Sequence, residues 1–193
     1  LPTGLRMEEV RKPIVSLITE LFDTACIDQF ESMGCKIREV RNPSTSFEIM
    51  SAFIQAQSDD LEVGLLLKTS RLLLVQTMPL IDMESINDPS YQEDWNLELS
   101  NRFLGRLKNK LIAHDCRLQI GLPIVPDEFL TLELQNSDQS VIRLFEVSSD
   151  ITNSVIECYL FIKVLNEDKT SFKLDKIENF DDNDLSEGML DEF

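Results

Sequence analysis

Histidine and positive charge are scarce in this chain. One histidine, His114, and four cysteines, Cys26, Cys35, Cys116 and Cys158, contain no Cys-x-x-Cys pair. They therefore lack the ligand spacing of a zinc site and the pairing of a Cys/His nucleophile, and the thiols are expected to be reduced, buried and structural. Eighteen basic residues against 35 acidic ones give a formal net charge of -17. Such a charge repels nucleic-acid phosphates and anionic lipid surfaces, so no nucleic acid and no membrane is expected as partner. No apolar run has the length of a membrane span, and the opening LPTGLRMEEVRKP lacks the apolar centre of a secretory signal. A cytoplasmic location is the expectation. The LPTG at residues 1–4 has the letters of a sorting motif at the wrong end of the chain, and reads as part of a flexible start.

What is present suits one folded domain: 193 residues, 42% hydrophobic and 27% charged, enough for a single sizeable core. Apolar residues Ile14, Leu17, Ile18, Leu21, Phe22 and Ala25 recur at three- and four-residue spacing, predicting a helix from Lys12 to about Met33, ended by Gly34. A short strand follows at 35–40. Two apolar runs, 46–57 and 61–68, flank a tight turn at Ser58-Asp59-Asp60, and 70–78 is ambiguous between strand and helix. A strongly periodic helix covers 93–114. After Pro123 and Pro126, the runs FLTLELQ, VIRLFEVS and SVIECYLFIKVL predict three antiparallel strands. The order helix, strands, helix, strands predicts an α+β fold, two layers of long helices on an antiparallel sheet, with a duplicated helix-plus-strands unit. Residues 1–11 are expected to be a flexible segment, 12–176 the domain, and 177–193 an acidic tail. From Glu178 onward the tail holds seven acids and no base. A solvated tail and a docking or oligomer-contact arm are both open readings of it.

The helix DWNLELSNRFLGRLKNKLIAH concentrates the candidate chemistry. At ~100° per residue, Trp95, Leu97, Leu99, Phe103, Leu104, Leu107 and Leu111 fall on one arc, the expected core face. Asp94, Glu98, Asn101 and Gly105 form a line on the opposite side. That line sets a carboxylate beside a carboxamide, and then a glycine, which costs a helix interior ~1 kcal/mol relative to alanine. Omitting a side chain there admits the close approach of another backbone or protein. An ordinary solvated face with a mid-helix glycine is the alternative.

Asp94-x3-Glu98-x2-Asn101, followed after 21 intervening residues by Pro123, resembles the D/S-x3-E-x2-N-x21-P signature of the CheC/CheX family of chemotaxis phosphatases, and NRFLG from Asn101 resembles the family's N-x-x-x-G segment. The likeness runs over roughly residues 12–165, with its specific part at 94–123. The first helix offers a degenerate second copy, Ser16-x3-Glu20-x2-Asp23. Asp23 replaces the amide and has no N–H to donate, and Ile27 stands where the other helix has Gly105. An ancestral duplication with one silent half and a helical coincidence both account for it. One intact motif is closest to the single-motif CheX type.

The resemblance implies a phosphatase that hydrolyses the aspartyl phosphate of a CheY-like response regulator in chemotaxis or related two-component signalling. In that reading Asn101 orients the attacking water and Glu98 pairs with the receiver's active-site lysine, while Asp94, Gly105 and Arg102 contribute to partner binding. Asp94 is expected to favour the helix start. Arg102, Arg106, Lys108 and Lys110 either steer the helix to an acidic receiver pocket or are ordinary solvated charges. The chain itself is expected to bind no cofactor and no metal, with Mg2+ carried by the receiver. The resemblance also implies a homodimer joined through sheet edges, for which the hairpin near 47–68 is the expected contributor. The alternative function is a CheX-like module that binds a response regulator, or a dimeric scaffold, without catalysis.

Overall fold

The computed structural model describes residues 3–41, 49–79, 88–137, 139–148, 153–165 and 173–175, with side chains from Lys12 onward. Its elements in chain order are α1 (Thr3–Ser32), β1 (Lys36–Glu39), β2 (Ile49–Gln57), β3 (Leu61–Ser70), α2 (Arg71–Thr77), α3 (Pro89–Ile112), β4 (Gln119–Ile120), α4 (Glu128–Gln135), β5 (Ser140–Ser148) and β6 (Asn153–Val164). All strand pairs are antiparallel, in the sheet order β1-β5-β6-β3-β2-β4. Exchanging β1, β2 and β3 with β4, β5 and β6 reverses that order onto itself. The sheet thus has the two-fold pattern of a duplicated unit, with α1 and α3 in corresponding positions. The fold is α+β.

α1 and α3 pack against each other and on one face of the sheet. On α1 Ile14, Ile18, Phe22, Cys26 and Phe30 are buried, one per turn, as an amphipathic helix requires, with Ala25 and Gln29 buried beside them. Phe22 and Phe30 meet Phe103 of α3 with ring centroids 6.4 and 5.5 Å apart. Gly34, at φ +76°, turns the chain out of α1, and Cys35 N–H closes back on the Phe30 carbonyl at 3.0 Å. Beneath the helices the sheet contributes Ile54 and Ala56 from β2, Val63, Leu65 and Leu67 from β3, Phe145 and Val147 from β5, and Ile156, Cys158, Leu160 and Ile162 from β6. The four thiols are buried and unbridged.

The turn between β2 and β3 is where the sequence puts it: Ser58 N–H donates to the Leu61 carbonyl at 2.8 Å. The ambiguous run after it is helical. Ser70 caps α2, its hydroxyl accepting from Leu73 N–H, so β3 passes directly into a helix.

Three expectations need correction. FLTLELQ is not a strand but the body of α4: Asp127, after Pro126, accepts the Leu130 N–H at 2.7 Å and starts a helix. The helix that carries Asp94, Glu98, Asn101 and Gly105 begins at Pro89, five residues before Asp94, and the start is stabilised by Asp88. The hairpin at 47–68 does not supply a free edge along its length, because β3 is interior and β2 is met by β4 and by a bridge from Phe53 to Ile124. The backbone of 3–11, expected to be flexible, belongs to α1, whereas the acidic tail lies outside the described residues. Among the described residues no helix is long and apolar enough to cross a membrane.

Candidate functional site

α3 is registered by its two ends. At the first, Asp88 accepts hydrogen bonds from Ser90 N–H at 2.9 Å and Ser90 Oγ at 2.8 Å, and Pro89 follows it in the first helical turn. Those bonds hold the exposed Asp88 carboxyl below its usual range. At the second, Asp115 takes a left-handed φ of +63° and Cys116 N–H returns to the Leu111 carbonyl at 3.1 Å. His114 is fastened to residue 173: its carbonyl accepts the Lys173 N–H at 2.9 Å, and its Nδ1 lies 2.8 Å from the Lys173 carbonyl.

Between these ends the buried side of α3 carries Trp95, Leu99, Phe103, Leu104, Leu107 and Leu111, as its period predicts. Leu97, assigned to the same arc, is only half-buried. Three polar residues share the buried side. Gln92 accepts from Arg71 Nε at 2.5 Å, Ser100 Oγ donates to the Leu97 carbonyl at 2.7 Å, and the Asn96 carboxamide is enclosed with no hydrogen-bond partner among the described residues. Their places on the helical wheel, between Leu99, Phe103 and Leu107, were the available signal.

Asp94, Glu98, Asn101 and Gly105 lie along the opposite side. Asp94 is exposed, Glu98 and Asn101 half-buried. Asp94 sits well inside the helix, past the reach of an N-terminal cap, so the start-favouring role expected of it belongs to Asp88. A Cβ added to Gly105 meets nothing within 4 Å. Packing within the chain therefore does not require a glycine there. No hydrogen bond is made by the Asn101 carboxamide to any described residue, leaving its N–H donors and its carbonyl acceptor available.

Glu98 does have a partner. Arg102 Nε donates to Glu98 Oε1 at 2.7 Å, and the guanidinium rests over the Trp95 ring, 5.0 Å from its centroid. Both side chains of the pair are 43% exposed, so this i,i+4 bridge is a weak tie that a competing cation can exchange. Two further basic residues of α3, Arg106 and Lys110, brace it against α1. Arg106 donates to Gln29 Oε1 at 2.7 Å, and Lys110 pairs with Asp28 at 2.7 Å.

The corresponding line on α1 is arranged differently. Ser16 Oγ donates to Glu20 at 3.3 Å, and Asp23 is gripped by both arms of Arg143 from β5, one of them at 2.7 Å. Arg143 also pairs with Glu39 at 3.0 Å. Burial pushes the Asp23 carboxyl above its usual range, and Arg143 offsets only part of that. These residues border a cleft of about 570 Å3 between α1 and β5. Asp23 is a structural anchor in this chain.

Pro123 is not on α3. It lies in the stretch beside β2, where Gly121 N–H donates to the Gln55 carbonyl and Ile124 exchanges two bonds with Phe53, each at 2.8 Å. A residue without an N–H fits between such bonded neighbours.

No family model and no curated protein matches the sequence. Solved structures do. The chemotaxis protein CheX from Vibrio vulnificus superposes with a TM-score of 0.52 at 13% identity, covering 76% of this chain and 99% of that one. A chain of the CheX-CheY-BeF3-Mg2+ complex from Borrelia burgdorferi gives the same TM-score and identity over 77% and 97% of the two chains. A CheC-like superfamily protein from Shewanella sp. PV-4 gives 0.50 at 18% identity over 75% and 97%. This chain has the fold of the CheX and CheC-like chemotaxis proteins.

Proposed function

We propose that the chain dephosphorylates the aspartyl phosphate of a CheY-like receiver domain. The observation that carries this is the Asn101 carboxamide. On the outward side of α3 it makes no hydrogen bond to a described residue, with Glu98 nearly one turn before it and the clear space of Gly105 one turn after. The presence of CheY, BeF3 and magnesium in the structure of a protein with the same fold supports a receiver as the partner.

Hydrolysis of an acyl phosphate requires a water in line with the bond that breaks. The water oxygen bonds to phosphorus, the bond to the aspartyl oxygen breaks, and the carboxylate leaves. The water's proton ends on the released phosphate. Holding that water is most of what a catalyst can add. A carboxamide offers both a donor and an acceptor at fixed geometry and does not titrate. Glu98 is the docking residue: on contact with the receiver it exchanges Arg102 for the receiver's lysine, one ion pair for another. Gly105 leaves clearance for the receiver's backbone. Magnesium is a ligand of the receiver in this reading, and the chain supplies no ligand to it. A cytoplasmic location and a homodimer joined through sheet edges belong to the same reading. Among the described residues the sheet's edges are β1, β4 and the stretch of β2 before Phe53.

The test is the decay of a phosphorylated CheY-type receiver in magnesium, with wild-type protein, with Asn101→Ala and with none. Acceleration by the wild type alone supports the water-positioning role. Binding without acceleration, across the receivers of one cell, replaces catalysis with a receiver-binding module.

A further inference from the structure

The sheet has a second face, turned away from α1 and α3. Leu65 and Leu67 of β3 and Cys158 and Leu160 of β6 point into the helix-covered core, so the residues alternating with them, Leu66 and Tyr159, point to this other side. α4 lies there: Ser140 Oγ donates to the Leu134 carbonyl at 2.8 Å, and Gln135 bonds Tyr159. α4 buries none of its own residues. Leu130 and Leu134 lean on the sheet, half-buried, while Phe129 and Leu132 project outward at 77% and 51% exposure. Phe129 and Leu132, three residues apart on one helix, are therefore neighbours on an outer surface, where large exposed apolar side chains mark an interaction site.

Charge selects the occupant. Glu128 and Glu133 flank Phe129 and Leu132 around the outward side of α4, Asp127 caps it, and no lysine or arginine occurs between Arg117 and Arg143. A second copy of the chain seated symmetrically here sets these acids against themselves, within a molecule of formal charge -17. An anionic lipid surface is repelled in the same way. A segment with an apolar stripe bordered by lysine or arginine satisfies both the stripe and the rim.

We propose that the outward side of α4, with Phe129 and Leu132 between Glu128 and Glu133, docks a basic amphipathic segment of another protein. The face lies across the sheet from Asn101, so this partner and whatever meets α3 are held at the same time. The inference stands whether or not the chain is a phosphatase.

The test titrates the full chain with a short Leu/Lys peptide whose leucines share one helical side, beside a permuted peptide of identical composition whose leucines are spread around the helix. The amphipathic peptide is expected to bind, the permuted one roughly tenfold more weakly. Phe129→Ser with Leu132→Ser is expected to weaken binding by a similar factor, and Glu128→Gln with Glu133→Gln to weaken it less while flattening its salt dependence. Since α4 buries nothing, these variants keep the wild-type Tm, and amide exchange over Glu128–Gln135 slows only when the amphipathic peptide is present. Equal binding of the two peptides, binding of neither, or protection confined to other elements overturns the proposal. So does a dimer by light scattering that Phe129→Ser dissociates, which makes a second copy the occupant, or vesicle binding lost in the same variant.

Discussion

α1 and α3 carry the same four-point line 78 residues apart: Ser16, Glu20, Asp23 and Ile27 correspond to Asp94, Glu98, Asn101 and Gly105. Both helices lie on the same face of the sheet, in positions that its two-fold strand order interchanges. What separates them is the strand beneath. α3 packs on β2, whose helix-facing residues Met50, Ala52, Ile54 and Ala56 are all apolar and cannot reach for a polar group. α1 meets β5, which raises Arg143 on the same side as Phe145 and Val147. A carboxylate within reach of an arginine becomes a clamp, and a carboxamide that meets no polar partner among the described residues stays open. Identical spacing therefore gives a fastening in one half and an open side chain in the other. A spacing motif reports geometry; the neighbouring sheet decides whether the chemistry is free.

The most severe way to break that contrast is to make α3 resemble α1. Asn101→Asp removes the amide donor and adds a negative charge where a phosphoryl group would sit. Receiver dephosphorylation should fall on the order of a hundredfold. The fold should not notice, because Asn101 makes no hydrogen bond to a described residue, so Tm stays at its wild-type value. Retained activity would separate catalysis from the amide altogether. Gly105→Ile is the next exchange, taking the residue from the same place on α1. Apart from the helix's own nearby backbone, no atom of the described residues stands within 4 Å of the new Cβ, and a helix gains from losing a glycine by up to ~0.5 kcal/mol. Receiver affinity should drop roughly tenfold while stability holds or rises slightly, read by titration and thermal melting. If stability falls instead, the glycine serves packing within the chain.

Much of this contrast was visible in the sequence, and its deciding part was not. The core period of α3, the turn at Ser58 and the line from Asp94 to Gly105 follow from local spacing, and the structure has them where spacing puts them. The Arg143–Asp23 clamp joins residues 120 apart, which no local pattern can announce. α4 was misread for a different reason. Leu130, Leu132 and Leu134 alternate like a strand, because Leu132 stays on the outward side of a helix that covers little core. The correct signal was Pro126 followed by Asp127 and Glu128, a helix start, and it was outweighed by the alternation. The buried Asn96 and Ser100 fall between apolar members of the core arc, and an arc drawn from apolar residues alone omits them.

Arg143→Ala tests the other half of the comparison. The Arg143 and Asp23 side chains are 19% and 21% exposed, so the pair is partly buried and its loss should cost ~1–3 kcal/mol. The pH dependence has a definite sign. Asp23's folded pKa is raised by burial and held back in part by Arg143; without the arginine it rises further. A raised carboxyl contributes stability that is fully present below its unfolded pKa and is lost as pH climbs through the folded one. Wild type and variant should therefore unfold alike in acid, where Asp23 is protonated in both, and diverge as pH moves to neutral. A gap that is constant with pH would assign the arginine a packing role in place of the clamp.

The smallest effect is expected at the start of α3, with Asp88→Ala. Asp88 caps the helix through its bonds from Ser90, and those bonds hold its carboxyl below the usual range. A lowered carboxyl has the opposite sign to Asp23: its contribution is present above the unfolded pKa and disappears as pH falls through the folded one. The variant should melt slightly below wild type near neutral pH and converge with it in strong acid, the mirror image of Arg143→Ala. Fraying of the first turn does not extend to Asn101, more than three turns further along, so receiver dephosphorylation should be unchanged. Together the two pH profiles tell the helices apart without reference to activity: one is fastened from beneath by an ion pair, the other from its end by a cap. A loss of dephosphorylation in Asp88→Ala would mean that the register of the active line is set at the cap, and that the apolar strand beneath α3 leaves the helix free to shift.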